Sequence, residues 1–303
     1  GCGINVSGNL SCWGPNDIDN LSTVGQVGDG SSVRRVGAMI VDSGMQYQSV
    51  QVGTQHSCGI STTGTLKCWG LNSTGQLGIG NTITQSTPTV VGGPYIDAAV
   101  GLGSTCAINV SNQLQCWGQN TYGQLGLGNN TNYNTPQLVS GLGAVTKVSV
   151  GAGHACALNS TNQLFCWGRN DWGQVGDGTL DARDSAVQIA GAWSSVSAGA
   201  YVTCALNMSN ELLCWGRNAD GELGQGSTVP DRYSAPTVVN SGTTYTHIAV
   251  GSSTSTSGTG THVCAITAMQ GLQCWGSNRK NQNAYPAAPF QVLTPTAVDA
   301  FAY

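Results

Sequence analysis

The sequence predicts an all-β protein built from a repeat of about fifty residues, and three observations carry that expectation. The twelve cysteines fall into six pairs, each ten residues apart: Cys2 and Cys12, Cys58 and Cys68, Cys106 and Cys116, Cys156 and Cys166, Cys204 and Cys214, Cys264 and Cys274. Every second cysteine opens a Cys-Trp-Gly tripeptide, at 12–14, 68–70, 116–118, 166–168, 214–216 and 274–276, with Asn two positions further on. Composition supplies the third. Gly accounts for 44 of 303 residues and charged residues for only 8%, so the Glu- and Lys-rich chains that make long helices and coiled coils are excluded. Repeats of this length belong to propellers and solenoids.

Inside each unit the apolar period is two, as in Val50, Val52 and Ile60, and this argues strand. The segment Cys106–Cys116 reads as two short strands around a turn at Ser111, which sets its two cysteines opposite each other. Six residues after the first cysteine stands Gly8, Gly64, Asn112, Asn162 or Asn210, residue types that tolerate the positive φ of a short hairpin loop. The last unit has Gln270 there and Gly271 next, so its turn is expected one place later. Opposed residues of a non-hydrogen-bonded antiparallel pair lie about 4.5 Å apart, within disulfide reach. Six intra-hairpin disulfides follow, and with them an oxidising compartment. The rival readings are metal ligation, which ten-residue spacing does not suit, and reduced buried thiols. Five units then continue to a Gly-(Gln/Glu)-(Leu/Val)-Gly box, at 25–28, 75–78, 123–126, 173–176 and 221–224. Without a Lys-Ser/Thr ending or a following helix these boxes are not phosphate loops; their glycines fit tight bends.

Taken together, the string Val-x-Val-Gly-x-x-x-x-Cys-x-Ile/Leu, then Cys-Trp-Gly-x-Asn-x-x-Gly-Gln-Leu-Gly-x-Gly, resembles the regulator of chromosome condensation repeat over nearly the whole chain. In its paired-cysteine form it is similar to bacterial surface versions and to plant crinkly-type receptor ectodomains. The resemblance implies one β-propeller domain over residues 1–303, with one four-stranded blade per repeat. Counting gives six blades, against the family's usual seven, and seven remains open if more chain exists. Local insertions are expected around Ile18–Thr23 and Ser252–Gly260. The chain begins at a cysteine hairpin, and Pro295–Tyr303 resembles the strand before such a hairpin. The C-terminal strand is therefore expected to join the N-terminal hairpin's blade and close the ring, which removes open sheet edges.

Function is less legible. Ten Lys plus Arg against fourteen Asp plus Glu leave no basic stripe for nucleic acid, and no apolar run is long enough to span a membrane. No metal cluster, cofactor motif or catalytic constellation is recognisable, so the chain reads as a non-enzyme without cofactors. The tryptophans of Cys-Trp-Gly read as core between repeats, and His56, His154 and His262, each two before a cysteine, as structural hydrogen-bonding groups. Between Arg169 and Arg232 lie 12 of the 24 charged side chains. Within that stretch Arg169, Asp171, Trp172, Arg217 and Asp220 are the candidate partner contacts, with Arg169 and Arg217 in one slot of adjacent repeats. Asn-x-Ser/Thr sequons at Asn5, Asn9, Asn20, Asn72, Asn109, Asn129, Asn159 and Asn207 are candidate glycosylation sites, four of them beside a hairpin turn.

These features point to a secreted or cell-surface scaffold that binds a protein partner or itself, with assembly into an extracellular array or filament conceivable on a nearly uncharged surface. A carbohydrate-binding propeller, using Tyr122, Tyr133, Trp172, Tyr201 and Tyr233, is the alternative. Guanine-nucleotide exchange or GTPase binding, which the resemblance implies, is a further one.

Overall fold

A computed structural model describes residues 1–16, 24–251, 260–279 and 291–298. Among these residues there is no helix, and 23 strands form one three-stranded and five four-stranded antiparallel sheets. Two compact units divide the chain, Gly1–Val150 and Gly151–Tyr303.

In the first unit, β1 (Cys2–Ile4), β2 (Leu10–Gly14) and β3 (Arg35–Ile40) make the three-stranded sheet. Next come β4 (Tyr47–Val52), β5 (His56–Ser61), β6 (Leu66–Gly70) and β7 (Gln85–Gly92). A third sheet follows from β8 (Tyr95–Val100), β9 (Ser104–Asn109), β10 (Leu114–Gly118) and β11 (Tyr133–Leu138), and β12 (Val145–Val150) ends the unit. The second unit opens with β13 (His154–Asn159), β14 (Leu164–Gly168) and β15 (Arg183–Ile189). It continues with β16 (Trp193–Ala198), β17 (Val202–Asn207), β18 (Leu212–Arg217) and β19 (Arg232–Val238). Last are β20 (Tyr245–Val250), β21 (His262–Thr267), β22 (Leu272–Ser277) and β23 (Gln291–Ala297).

The cysteine spacing does what the hairpin geometry requires. Each first cysteine is the direct cross-strand partner of the second, and all six pairs are disulfide-bonded with Cα atoms 4.0–4.1 Å apart, as in a narrow antiparallel pair. No cysteine is left over. On the chain-entropy view each short closed loop adds about 3 kcal/mol. The left-handed turn residue sits where the sequence placed it in five units, as at Asn112 (φ 58°) and Gly64 (φ 83°). The last turn is not offset. Gln270 itself takes φ 66° and its N–H reaches Thr267 O at 2.9 Å, because the fixed cysteine register leaves the turn nowhere else to sit. A glutamine tolerates that position at a cost of about 1–2 kcal/mol.

Pairing of the Cys-Trp-Gly strand to the strand that follows it slips between the cysteine and the glycine in every sheet, where the following strand places extra residues opposite the tryptophan, so the bulge lies on that strand. The tryptophan keeps its regular pairing on the other side, as Trp117 with Thr105, and its indole reaches the repeat before. Trp69 donates its Nε1–H to Gln26 O at 3.0 Å, Trp117 to Gln76 O at 3.0 Å, Trp215 to Gln174 O at 3.0 Å and Trp275 to Glu222 O at 2.9 Å. Each acceptor is the second residue of a Gly box. The same indoles pack in one core with the earlier repeat's apolar residues, Trp117 with Cys58, Cys68 and Leu77, and Trp275 with Cys204, Cys214 and Leu223. The box glycine makes the approach possible: a Cβ on Gly78 would lie 2.5 Å from Trp117 Nε1. Trp13 departs from the expectation. It is 41% exposed, and its edge lies beside Gly1 rather than a box.

The histidines extend this link as expected. His56 Nε2 lies 2.7 Å from Thr105 Oγ1, whose hydroxyl donates to Gln76 O, and His154 stands likewise 2.8 Å from Thr203 Oγ1, which donates to Gln174 O. Since each threonine hydroxyl already donates its proton, each histidine must donate Nε2–H and keep Nδ1 bare and neutral. Burial lowers both histidines to a pKa of about 4.

The insertion around Ile18–Thr23 and most of that at Ser252–Gly260 lie outside the described residues, as do residues 299–303, on which the proposed closure of the first sheet depends. Within the described part of the C-terminal segment, β23 is the fourth strand of its own sheet, paired with β22.

Two predictions follow. Gly78→Ala and Gly80→Ala both put a side chain at positive φ, yet only Gly78 meets the indole while nothing lies within 4 Å of Gly80. Chemical denaturation should therefore find G78A less stable than G80A by about 1–3 kcal/mol. Second, the unfolded chain takes up protons on His56 and His154 before the native one does. Their contribution is complete above pH 6.5 and is lost as pH falls towards 4. The stability difference between wild type and an H56Q/H154Q variant should thus shift against wild type across that window, by on the order of 3 kcal/mol per histidine.

Candidate functional site

The second unit gathers the charge-rich stretch into one patch. After Cys166-Trp167-Gly168 the chain leaves β14 into the loop Arg169–Trp172, whose turn is held by its own box: Gln174 Oε1 accepts the Trp172 N–H at 2.9 Å. Arg169 lies against Asp171 in a two-pronged ion pair, with Nε–Oδ1 2.8 Å and Nη2–Oδ2 2.6 Å, and its guanidinium stacks 5.0 Å above the Tyr201 ring. Trp172 is half-buried and carries two guanidinium groups on its ring, Arg217 at 5.6 Å and Arg232 at 4.9 Å. Arg232 also donates to Asp171 O at 3.1 Å and pairs with Asp231. All five sequence-predicted contacts therefore meet, and Arg169 and Arg217 flank one loop, as their shared slot implies.

They do not meet as equals. Arg217 and Asp220 are buried, at 7% and 2% exposure, and form a foundation beneath the patch rather than part of its surface. The cause is Glu222, the box residue where sister repeats carry Gln26, Gln76, Gln124 and Gln174. Like Gln76, Gln124 and Gln174 it accepts the loop amide, here Asp220 N–H at 2.7 Å, but it is an acid with no exposure. Arg217 answers it with an ion pair to Glu222 and a longer contact to Asp220 at 3.4 Å. Arg279 and Gln291 reach the other oxygen of Asp220 at 3.3 and 3.2 Å. Burial pushes Glu222 up to about 7, with Arg217 pulling the other way. The sequence holds the signal that finds this residue: a single Glu in a column of Gln, five places after an Arg.

Arg232 is the contact that sequence reasoning passed over as a site residue, since the slot it occupies varies between repeats. The exposed side of the patch is thus Trp172, Arg169, Asp171, Asp231 and Arg232, an aromatic centre bordered by both signs of charge. A second feature nearby was not predicted. Tyr95 and Tyr245 bond through their hydroxyls to Gln115 and Gln273, but the equivalent pair is Trp193 and Leu213. Trp193 packs 5.9 Å from Trp215, and an apolar cavity of about 510 Å³ opens beside it against Met208 and Pro236.

The sequon asparagines at hairpin turns serve the turns. Asn109 Oδ1 accepts Ser111 N–H and Gln113 N–H at 2.9 and 3.0 Å, and Asn5, Asn159 and Asn207 repeat the arrangement. Asn72 is corrected as a glycan candidate: it is fully buried, and its Nδ2 donates to Asn81 O and Ile83 O at 2.9 and 3.1 Å. Asn20 lies outside the described residues. Among the described residues no group of three or more His, Cys, Asp or Glu could hold a metal ion.

The regulator of chromosome condensation (RCC1) repeat matches residues 63–108, 112–158, 161–206 and 209–257, and a second description of the same repeat matches 47–76, 95–124, 145–174 and 193–222. Among solved structures, yeast RCC1 (Prp20), crystallised with Kap60, is 20% identical with a TM-score of 0.83 over 99% of this chain and 73% of that one. Human WBSCR16 is 19% identical with a TM-score of 0.78, covering 96% of this chain and 76% of that one. The CRINKLY ectodomain of receptor kinase ACR4 from Arabidopsis thaliana is 18% identical, TM-score 0.55, over 95% and 78%. At such identities these likenesses show the fold, a β-propeller whose blades are the sheets described above. With matched repeats over more than half of its length, the chain belongs to the regulator of chromosome condensation (RCC1) repeat family.

Proposed function

We propose that this chain is a single β-propeller domain over residues 1–303 that works outside the cell, secreted or at its surface, as a protein-interaction scaffold. The observation that carries the reading is the complete set of intra-sheet disulfides with no cysteine free. Such pairs persist in oxidising compartments and are reduced in the cytosol. The Trp172 patch is the docking surface. Trp and Arg are the residue types that dominate binding energy, and here they are pre-ordered: Arg217 and Arg232 hold the ring, and Arg169 is fixed by Asp171 and Tyr201. A partner surface with both charge signs and an apolar centre would match it. Asn159, like Asn72, is buried, at 6% exposure with its Nδ2 donating to Gln163 Oε1, so Asn5, Asn9, Asn109, Asn129 and Asn207 are the sites left for glycans, and self-association belongs to the same reading.

The carbohydrate alternative has less support, because the loop aromatics change from repeat to repeat: Thr74, Tyr122, Trp172 and Asp220 share one slot. The yeast propeller Prp20p has been studied for its binding to Gsp1p and histones; at 20% identity this supports a protein-binding fold here and names no partner.

Two measurements test the reading. Non-reducing peptide mapping of protein from its native source should find all six ten-apart pairs linked; free thiols throughout would overturn the extracellular assignment. In cross-linking at the cell surface, W172A combined with R232A should lower partner recovery about tenfold or more while the thermal midpoint stays unchanged. Undiminished recovery would remove the patch from the proposal.

A further inference from the structure

The apolar cavity beside Trp193 holds about 510 Å³, a size that suits a small ligand. It exists because of changes against a sister sheet. In the sheet of Asn109, the Tyr95 hydroxyl donates to Gln115 Oε1 at 2.7 Å, a bond that spans from β8 to β10 across β9. In the sheet of Asn207 the same positions hold Trp193 and Leu213, and leucine has no acceptor to offer. Trp193 instead donates its Nε1–H to Ile189 O at 3.4 Å and packs against Trp215. The connection from β15 to β16 is only Ala190, Gly191 and Ala192, all exposed and too small to cover the gap.

The opposite wall is a sequon. Asn207, Met208 and Ser209 all line the cavity, and Asn207 is the direct cross-strand partner of Trp193. The asparagine is half-buried, and its amide is committed to its own turn on one side only. Oδ1 accepts the N–H groups of Ser209 and Glu211 at 2.9 and 3.0 Å, while Nδ2 gives one proton to Glu211 Oε2 at 2.7 Å. Since Nδ2 carries two protons, one can be replaced while the turn keeps every bond. The sister sequons differ: Asn109 stands beside the closed Tyr95–Gln115 bond, and Asn159 is buried.

We infer that this cavity seats the first sugar of an N-linked glycan on Asn207, an N-acetylhexosamine packed against Ala192, Met208, Leu213 and Pro236. The choice of occupant rests on the sequon in the wall, which puts the point of attachment at the cavity itself. A tethered group enters at high effective concentration and without the translational cost that a free ligand meets. Its chemistry also fits. A hexosamine joins apolar C–H faces and an acetyl methyl to a polar edge, and the cavity joins apolar walls to an open, hydrated mouth. Met208, 55% exposed, would lose water contact under the sugar. Attachment forms a bond between Nδ2 and the anomeric carbon of a diphosphate-linked sugar donor. The bond from that carbon to the phosphate oxygen breaks, and the amide proton leaves to the released diphosphate.

The inference deepens the glycan side of the proposed extracellular scaffold and rests on that reading, because sequons are modified in secreted chains. It is tested on protein secreted from a eukaryotic host, beside the same protein made unglycosylated in an oxidising bacterial compartment. Glycopeptide mass spectrometry of the first should find Asn207 occupied. Ser209→Ala removes this sequon and Ser111→Ala that of Asn109, and each spares its turn, where the serine gives only a backbone N–H. In the glycosylated protein S209A should lower the thermal midpoint by about 2 °C or more, and S111A should leave it unchanged. In the unglycosylated protein both should match wild type. With the glycan trimmed to its first sugar, a nuclear Overhauser contact should join the acetyl methyl to the Met208 methyl. An unoccupied Asn207, an S209A midpoint equal to wild type, an equal loss without glycan, or a missing contact overturns the inference. Free thiols in protein from its native source would instead overturn the extracellular reading and leave these recombinant results standing.

Discussion

The bond from the Cys-Trp-Gly indole to the box carbonyl of the repeat before it, made by Trp69, Trp117, Trp215 and Trp275, is the constraint from which the other regularities of this protein derive. A buried indole N–H must find an acceptor, and a backbone carbonyl is available only if the chain carrying it comes close. Close approach explains the box glycine, which cannot carry a Cβ beside the ring. It explains the threonine that shares the same carbonyl at Gln76 and Gln174, and the histidine that donates to that threonine. The asparagine two places after each tripeptide finishes the arrangement. Asn72 Oδ1, for example, accepts Leu77 N–H at 2.9 Å and so holds the box in place.

Against that background the Trp172 patch is a local departure from the repeat. Changing one box glutamine to Glu222 places a carboxylate where no water reaches, and a buried charge without a partner is costly. Arg217 supplies the partner, and in doing so lays its guanidinium under Trp172. Asp220, Arg279 and Gln291 complete the enclosure. The surface feature is thus the outer consequence of an interior charge substitution.

Spacing made much of the fold legible. Ten residues between cysteines fixed hairpin, register and disulfide together, because a two-residue period and an antiparallel turn leave one geometry. What spacing could not show was what the next repeat covers. Trp13 shares its position with five buried tryptophans, yet it lies exposed. Arg217 and Asp220 hold slots that are solvent-facing in principle and are closed over here. Asn72 carries a sequon that reads as surface, while its side chain belongs to the box. Gln270 shows the converse, a residue of ordinary propensity pressed into a left-handed turn because the register on either side allowed no alternative.

The covalent links and the links between repeats run in different directions. Every disulfide lies inside a single hairpin, so none of them fastens one repeat to the next; that is left to hydrogen bonds, those of the indole and of the histidine and threonine beside it, and to apolar packing. A mechanical load along the chain would therefore meet sulfur at each hairpin and only weak forces at each seam. The molecule is a series of riveted plates joined by unriveted hinges, and damage that starts at a seam leaves the plates on either side whole.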